Sequence, residues 1–111
     1  MKRGDVFYAN LDPTQGSETQ KIRPVVVVSN DAANRAAALV TVLPLTSNVS
    51  RIFPFEVKLL AAQTGLSQDS KAMAQQVRTL DKSRLDKRLA GQVPAKQMAE
   101  IDAALRLHLS L

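Results

Sequence analysis

Arg23-Pro24-Val25-Val26-Val27-Val28 is the stretch on which the reading of this chain turns. Its four valines are β-branched and suited to a pleated surface, so the run reads as a buried strand. The chain enters it from the polar segment Asp12-Pro13-Thr14-Gln15-Gly16-Ser17-Glu18 and then from Arg23 itself. An arginine, carboxylates, hydroxyls and a flexible glycine therefore gather at one strand mouth, and all but the glycine can handle a phosphate or a proton. That mouth is where function is sought first.

Working outward, Val6-Phe7-Tyr8-Ala9-Asn10-Leu11 reads as a first strand stopped by Asp12-Pro13, and residues 25–29 form the second. The alanine-rich segment 30–37 reads as a short connection, one helical turn started by Asn30 or Asp31. Residues 39–45 return as a strand with Pro44 near its end, where a missing N–H is tolerated. Phe55-Glu56-Val57-Lys58-Leu59 alternates and predicts a half-buried strand. Thr64-Gly65 turns the chain, and residues 71–80 read as a further strand. Pro94 suits a helix start, and Met98, Ile101, Leu105 and Leu109 follow at helical spacing, so residues 94–109 predict one amphipathic helix. Five or six short strands and a terminal helix make a mostly β, marginally α+β fold: a small, mostly antiparallel barrel. With no repeat or linker in view, residues 1–111 read as one domain, small enough that an oligomer would help bury apolar surface.

Composition narrows the chemistry. The chain has no cysteine, which removes disulfides, thiolate metal sites and cysteine nucleophiles. Its one histidine, His108, lies among the leucines of the terminal helix and reads as structural, so neither a metal site nor a Ser-His-Asp arrangement has local support. The four glycines are scattered and form no phosphate loop. No cofactor is expected. No apolar run approaches the ~20 residues that span a bilayer, and the N-terminus lacks the apolar stretch of a signal peptide, so a cytoplasmic protein without a membrane partner is expected. The net charge of +5 favours a polyanionic partner. Its densest patch, residues 78–88, sets Arg78, Lys82, Arg84, Lys87 and Arg88 against Asp81 and Asp86, and on its own reads first as a solvated face.

What is left is a metal-free site built from arginine, hydroxyls and a carboxylate. RNA can be cut this way because the nucleophile is its own 2′-OH. The protein has to orient that hydroxyl, stabilise charge on the phosphorane and manage two protons. The planar arginine fork suits phosphate oxygens, and preorganised donors at developing charge are often the largest catalytic contribution. Arg23 is the candidate electrostatic stabiliser, and Thr46, after the strand 39–45, can donate to the same phosphate. By themselves these residues also read as a surface arginine before a proline and a Thr46-Ser47-Asn48 turn. The aromatics Phe7, Tyr8, Phe53 and Phe55 read as mostly committed to strands.

Six segments occur in order: Lys2-Arg3-Gly4-Asp5-Val6, the loop from Asp12-Pro13-Thr14 to Ser17-Glu18, and Arg23-Pro24-Val25-Val26-Val27, then Leu43-Pro44-Leu45-Thr46-Ser47, Phe53-Pro54-Phe55-Glu56-Val57 and Gln76-Val77-Arg78-Thr79-Leu80-Asp81. Together they resemble the MazF/PemK family of toxin endoribonucleases over nearly the whole chain. The resemblance implies an SH3-like barrel (CcdB/MazF-like) with a C-terminal helix, usually a homodimer. It implies metal-independent, sequence-specific cleavage of single-stranded RNA to a 2′,3′-cyclic phosphate and a 5′-hydroxyl, which inhibits translation. A cognate antitoxin, expected to act through an acidic, partly disordered segment, would neutralise it. The family's catalytic arginine and threonine fall on Arg23 and Thr46. The loop holding Ser17, Glu18, Gln20 and Lys21 corresponds to the flexible loop beside the RNA channel. Glu18 is the next candidate, for positioning or proton transfer, with pairing to Arg23 or Lys21 as the other reading. Ser47, Gln75, Gln76 and Arg78 complete the substrate-binding set, the two glutamines reading either as base-reading amides or as strand residues.

Two departures matter. Another branch of the family uses His, Arg and Asp where this chain has Ser17, Met73 and Gln75, so that mechanism does not carry over. The gyrase poisons that share the barrel act through a Trp-Gly-Ile end, whereas this chain has no Trp and finishes Leu109-Ser110-Leu111. A gyrase poison and a non-catalytic basic RNA-binding module are the alternative readings.

Overall fold

The computed structural model describes residues 1–11 and 22–111, so the polar segment before the valine run, with Ser17, Glu18, Gln20 and Lys21, lies outside the described residues. Among the described residues, seven strands form a curled antiparallel sheet: β1 (Asp5–Asn10), β2 (Ile22–Val27), β3 (Leu39–Thr46), β4 (Glu56–Leu59), β5 (Ser70–Met73), β6 (Arg78–Asp81) and β7 (Gly91–Gln92). Their order is β4-β5-β3-β2-β1-β7, with β6 also paired to β3. Helices α1 (Asp31–Ala36), α2 (Ala61–Thr64) and α3 (Ala95–Leu109) complete the fold. No helix among the described residues is long and apolar enough to cross a membrane.

The valine run explains the curl. Side chains alternate between faces along a strand, and here the two faces feed two cores. Val25 and Val27 join Phe7, Leu11, Val40, Val42 and Leu80 in one. Val26 joins Val6, Leu43, Leu45, Val57, Leu59, Met98 and Ile101 beneath α3 in the other. A strand covered on both faces has no position for a polar residue, which is why the sequence shows no alternation there.

Three expectations are corrected. The second strand starts at Ile22 rather than Val25, so Arg23 is a strand residue paired with Ala9. The single strand expected over residues 71–80 is two: β5 and β6 both lie along the same edge of β3, separated by a 3₁₀ turn at Ala74–Gln76. Alanine and glutamine have little β preference, and Ala74 turns inward to the core under α3. The apolar stripe of α3 ends a turn early, with Met98 and Ile101 buried but Leu109 about half exposed. Other features are as expected. The Asn30 side chain caps α1 by accepting from the Ala33 N–H at 2.8 Å, and Pro94 stands at the start of α3.

Two glycines shape the segment between β4 and β7. Gly65 ends α2 with φ of 83°, in the left-handed region that side chains disfavour. At Gly91 a Cβ would lie 2.5 Å from the Thr64 carbonyl oxygen, so only glycine lets β7 approach α2 this closely.

Ile101 is fully buried between α3 and the sheet. Ile101→Ala is expected to cost about 2–5 kcal/mol, read as a lower urea midpoint with an unchanged slope.

Candidate active site

The pairing of β2 with β3 runs Val27↔Val42, Val26↔Leu43, Val25↔Pro44 and then stops. Continued in register, the next opposed pairs are Pro24 with Leu45 and Arg23 with Thr46. The Val28 N–H donates to the Thr41 carbonyl at 2.9 Å, so the even-numbered residues of this stretch face β3. Pro24 is therefore the residue whose N–H would extend the ladder to Leu45, and proline has none. The ladder ends where a donor is missing.

A cavity of about 370 Å³ lies at that gap. Its lining includes Ile22, Arg23 and Pro24 from β2, and Leu45 and Thr46 from β3 with Ser47 beyond. Tyr8 of β1 and residues 66–70 close the other side. By strand alternation Arg23 and Thr46 share one face, and Tyr8, Pro24 and Leu45 the other, so the cavity collects groups from both sides of the gap. The Arg23 Nη1 donates to Thr46 Oγ1 at 3.5 Å, the long end of a hydrogen bond. Both residues are half-buried. Thr46 Oγ1 also accepts from the Asn48 N–H at 3.3 Å, which orients the hydroxyl. A permanently charged fork and a hydroxyl this close can contact one phosphate together.

Of the residues expected from sequence, the structure brings Arg23, Thr46 and Ser47 to this cavity. Gln75 and Gln76 sit in the 3₁₀ turn after β5. The Gln75 amide nitrogen donates to Glu56 Oε2 at 2.7 Å, and the Gln76 amide contacts Met73 Sδ at 3.6 Å. The Arg78 Nη1 donates to the Leu11 carbonyl at 3.2 Å. Sequence reasoning missed Tyr8 and residues 66–70. Tyr8 is 42% exposed, unlike buried Phe7, and Phe53 and Phe55 precede β4 rather than lying in it. The available signal was the polar run Ser67-Gln68-Asp69-Ser70 after a glycine turn. His108 is exposed, with its ring 6.4 Å from that of Phe55.

A buried ion pair braces the segment that leaves Thr46. Lys71, opposite Thr46 in the β3–β5 register, donates from Nζ to Glu56 Oε1 at 2.9 Å and to the Arg51 carbonyl at 2.7 Å. The Phe53 N–H donates to Glu56 Oε1 at 2.9 Å. Burial pushes the Glu56 carboxyl up, but the Phe53 N–H, the Gln75 amide and the Lys71 ammonium outweigh it and hold the group below its ordinary value.

Comparison with known proteins agrees with this architecture. The family model of the PemK-like, MazF-like toxin of type II toxin–antitoxin systems matches residues 2–109. The chain belongs to that family. It is 47% identical over 116 residues to Endoribonuclease MazF9 of Mycobacterium tuberculosis, covering 100% of this chain and 98% of the relative. Its fold matches crystalline MazF from Deinococcus radiodurans with a TM-score of 0.85 at 30% identity, covering 100% of this chain and 97% of the other. It also matches a mycobacterial endoribonuclease in complex with its cognate antitoxin, with a TM-score of 0.81, 28% identity and coverage of 100% and 96%.

Because the folded Glu56 carboxyl titrates below its unfolded value of about 4.3, its contribution is complete above that pH. The contribution is lost as pH falls through the lower folded value. Glu56→Gln is expected to cost about 3 kcal/mol at pH 7, because it leaves Lys71 buried without its counter-charge. The acid limb of the stability–pH curve should flatten, and adding Lys71→Met should recover part of the loss. Urea titrations from pH 3 to 7 read all three effects.

Proposed function

We propose that this chain is a sequence-specific, metal-independent endoribonuclease toxin that cuts single-stranded RNA, including mRNA, in the cytoplasm and so arrests translation. The carrying observation is the Arg23–Thr46 pair, 3.5 Å apart across the gap between β2 and β3. Family membership and a 47%-identical relative named as an endoribonuclease support the same reading.

The reaction needs little from the protein beyond geometry and charge. The 2′-oxygen attacks the adjacent phosphorus as its proton leaves, forming a phosphorane. The bond to the 5′-oxygen then breaks, and that oxygen takes up a proton. The products are a 2′,3′-cyclic phosphate and a 5′-hydroxyl. Arg23 stabilises the phosphorane oxygens, and Thr46, oriented by the Asn48 N–H, donates to the same group. Arginine, almost always protonated, is a poor proton acceptor, so Glu18 is the candidate for proton transfer. Ser17, Gln20, Lys21, Ser47, Gln75, Gln76 and Arg78 are assigned to substrate binding.

An antitoxin partner is inferred from the relative solved with its cognate antitoxin. An acidic, partly disordered segment suits the +5 charge of this chain. Homodimerisation has a surface to use, since Leu107, Leu109 and Leu111 near the end of α3 are all exposed.

The purified protein should cut a long single-stranded RNA in EDTA. Arg23→Ala and Thr46→Ala should each slow cleavage by 10²-fold or more, about 3 kcal/mol of transition-state stabilisation. Arg23→Lys should recover little, because an ammonium lacks the bidentate fork. Wild-type cleavage by folded Arg23→Ala would overturn the assignment, as would equal cutting of all-DNA oligonucleotides.

A further inference from the structure

A second cavity, also about 370 Å³, adjoins the first and shares Tyr8, Leu66 and Ser67 with it. Tyr8 therefore stands on the wall between two compartments. Its backbone is fixed on both sides: its partner in β2 is Pro24, and its carbonyl accepts from the Asp86 N–H at 2.8 Å. The ring belongs to a half-exposed position of an otherwise largely buried strand. Beyond it the second cavity is lined by Gly65, Asp86, Arg88, Leu89 and Ala90.

Arg88 comes from the basic patch over residues 78–88, and the structure divides that patch. Arg78, Lys82 and Arg84 are spent on the backbone carbonyls of Leu11, Asn34 and Asn10. Arg88 is exposed, and among the described residues its side chain makes no hydrogen bond or ion pair. The neighbouring carboxylate of Asp86 accepts the Arg88 backbone N–H at 3.0 Å, which fixes its own position without neutralising the guanidinium. Asp69, in the first cavity, is likewise held by the Ala61 N–H at 2.8 Å.

We propose that bound single-stranded RNA continues from the Arg23–Thr46 gap across Tyr8 into this second cavity. A base flanking the scissile phosphate stacks on the Tyr8 ring, and the next phosphate meets Arg88. The proposal rests on the ribonuclease reading above and extends it to a nucleotide that is not itself cut. An aromatic face followed by an unpaired cation is the pattern that accepts a base and then a phosphate, whatever the base. Tyr8 is thus a positioning residue.

The test uses oligonucleotides built around a cut site mapped on a long RNA, with each flanking base in turn replaced by an abasic sugar. Tyr8→Ala should lower kcat/KM about 10-fold on the intact substrate, and Tyr8→Phe should stay near wild type. The Tyr8→Ala loss should vanish at one flanking abasic position and persist at the others. For an uncleavable oligonucleotide with a 2′-deoxy sugar at the cut site, Arg88→Gln should reduce the slope of log affinity against log salt by about 0.7, the loss of one single-strand phosphate contact. If wild type cuts and folded Tyr8→Ala cuts equally well, the second compartment is refuted while the ribonuclease reading stands. A loss independent of abasic position also refutes it. Unchanged cleavage with weakened inhibition by the antitoxin would assign the groove to that protein instead. No cleavage by wild type would overturn both readings.

Discussion

One missing hydrogen-bond donor organises this molecule. Pro24 stands in β2 where an N–H is needed to carry the β2–β3 ladder one rung further, and the pairing accordingly ends at Val25↔Pro44. On the valine side of that point Val25, Val26 and Val27 are fully buried in two cores, one on each face of the strand. On the other side β2 and β3 no longer pair, and in a shared register Pro24 stands opposite Leu45 and Arg23 opposite Thr46. The same strand pair thus supplies rigidity and opening within a few residues. That suits a site in which geometry contributes more than reactive side chains do.

The surrounding structure keeps the two lips of the gap in place. Arg23 is held from behind by its pairing with Ala9 in β1. Thr46 is held by its pairing with Lys71, whose ammonium also anchors the Arg51 carbonyl and the buried Glu56. Glu56 in turn gathers Phe53 and Gln75. A buried carboxylate satisfied by three donors is costly to assemble and costlier to leave half-made, so this corner has one favoured arrangement. The third wall, residues 66–70, depends on Gly91, because a larger residue there would collide with the Thr64 carbonyl.

Much of this was legible in the sequence, for identifiable reasons. The valine run, the Asn30 cap and the Met98–Ile101 spacing each follow from a local rule, and all three elements are present. The failures share a cause. Residues 71–80 read as one strand because apolar alternation does not register a turn that serves tertiary packing at Ala74. The second strand reads from Val25 in the sequence, whereas Pro24 interrupts pairing on one edge only and leaves Arg23 paired with Ala9 on the other. That Arg23 and Thr46, 23 positions apart, would meet was expected through the family resemblance, because strand register is not specified by any local pattern. Tyr8 read only as a strand residue, because an exposed aromatic in an alternating strand looks the same in sequence as a buried one. Glu56 and Lys71 looked like ordinary charged strand residues, although both are buried.

In the mechanism proposed above, the absent N–H of Pro24 creates the opening in which RNA is cut. Pro24→Ala tests it directly, because alanine restores the donor without adding bulk. Hydrogen exchange at residue 24, measured beside RNA cleavage by the same sample, is the deciding experiment. A protected amide at position 24, bonded to the Leu45 carbonyl, is expected together with a marked fall in cleavage by a chain no less folded than wild type. A freely exchanging amide with cleavage at the wild-type rate would contradict it.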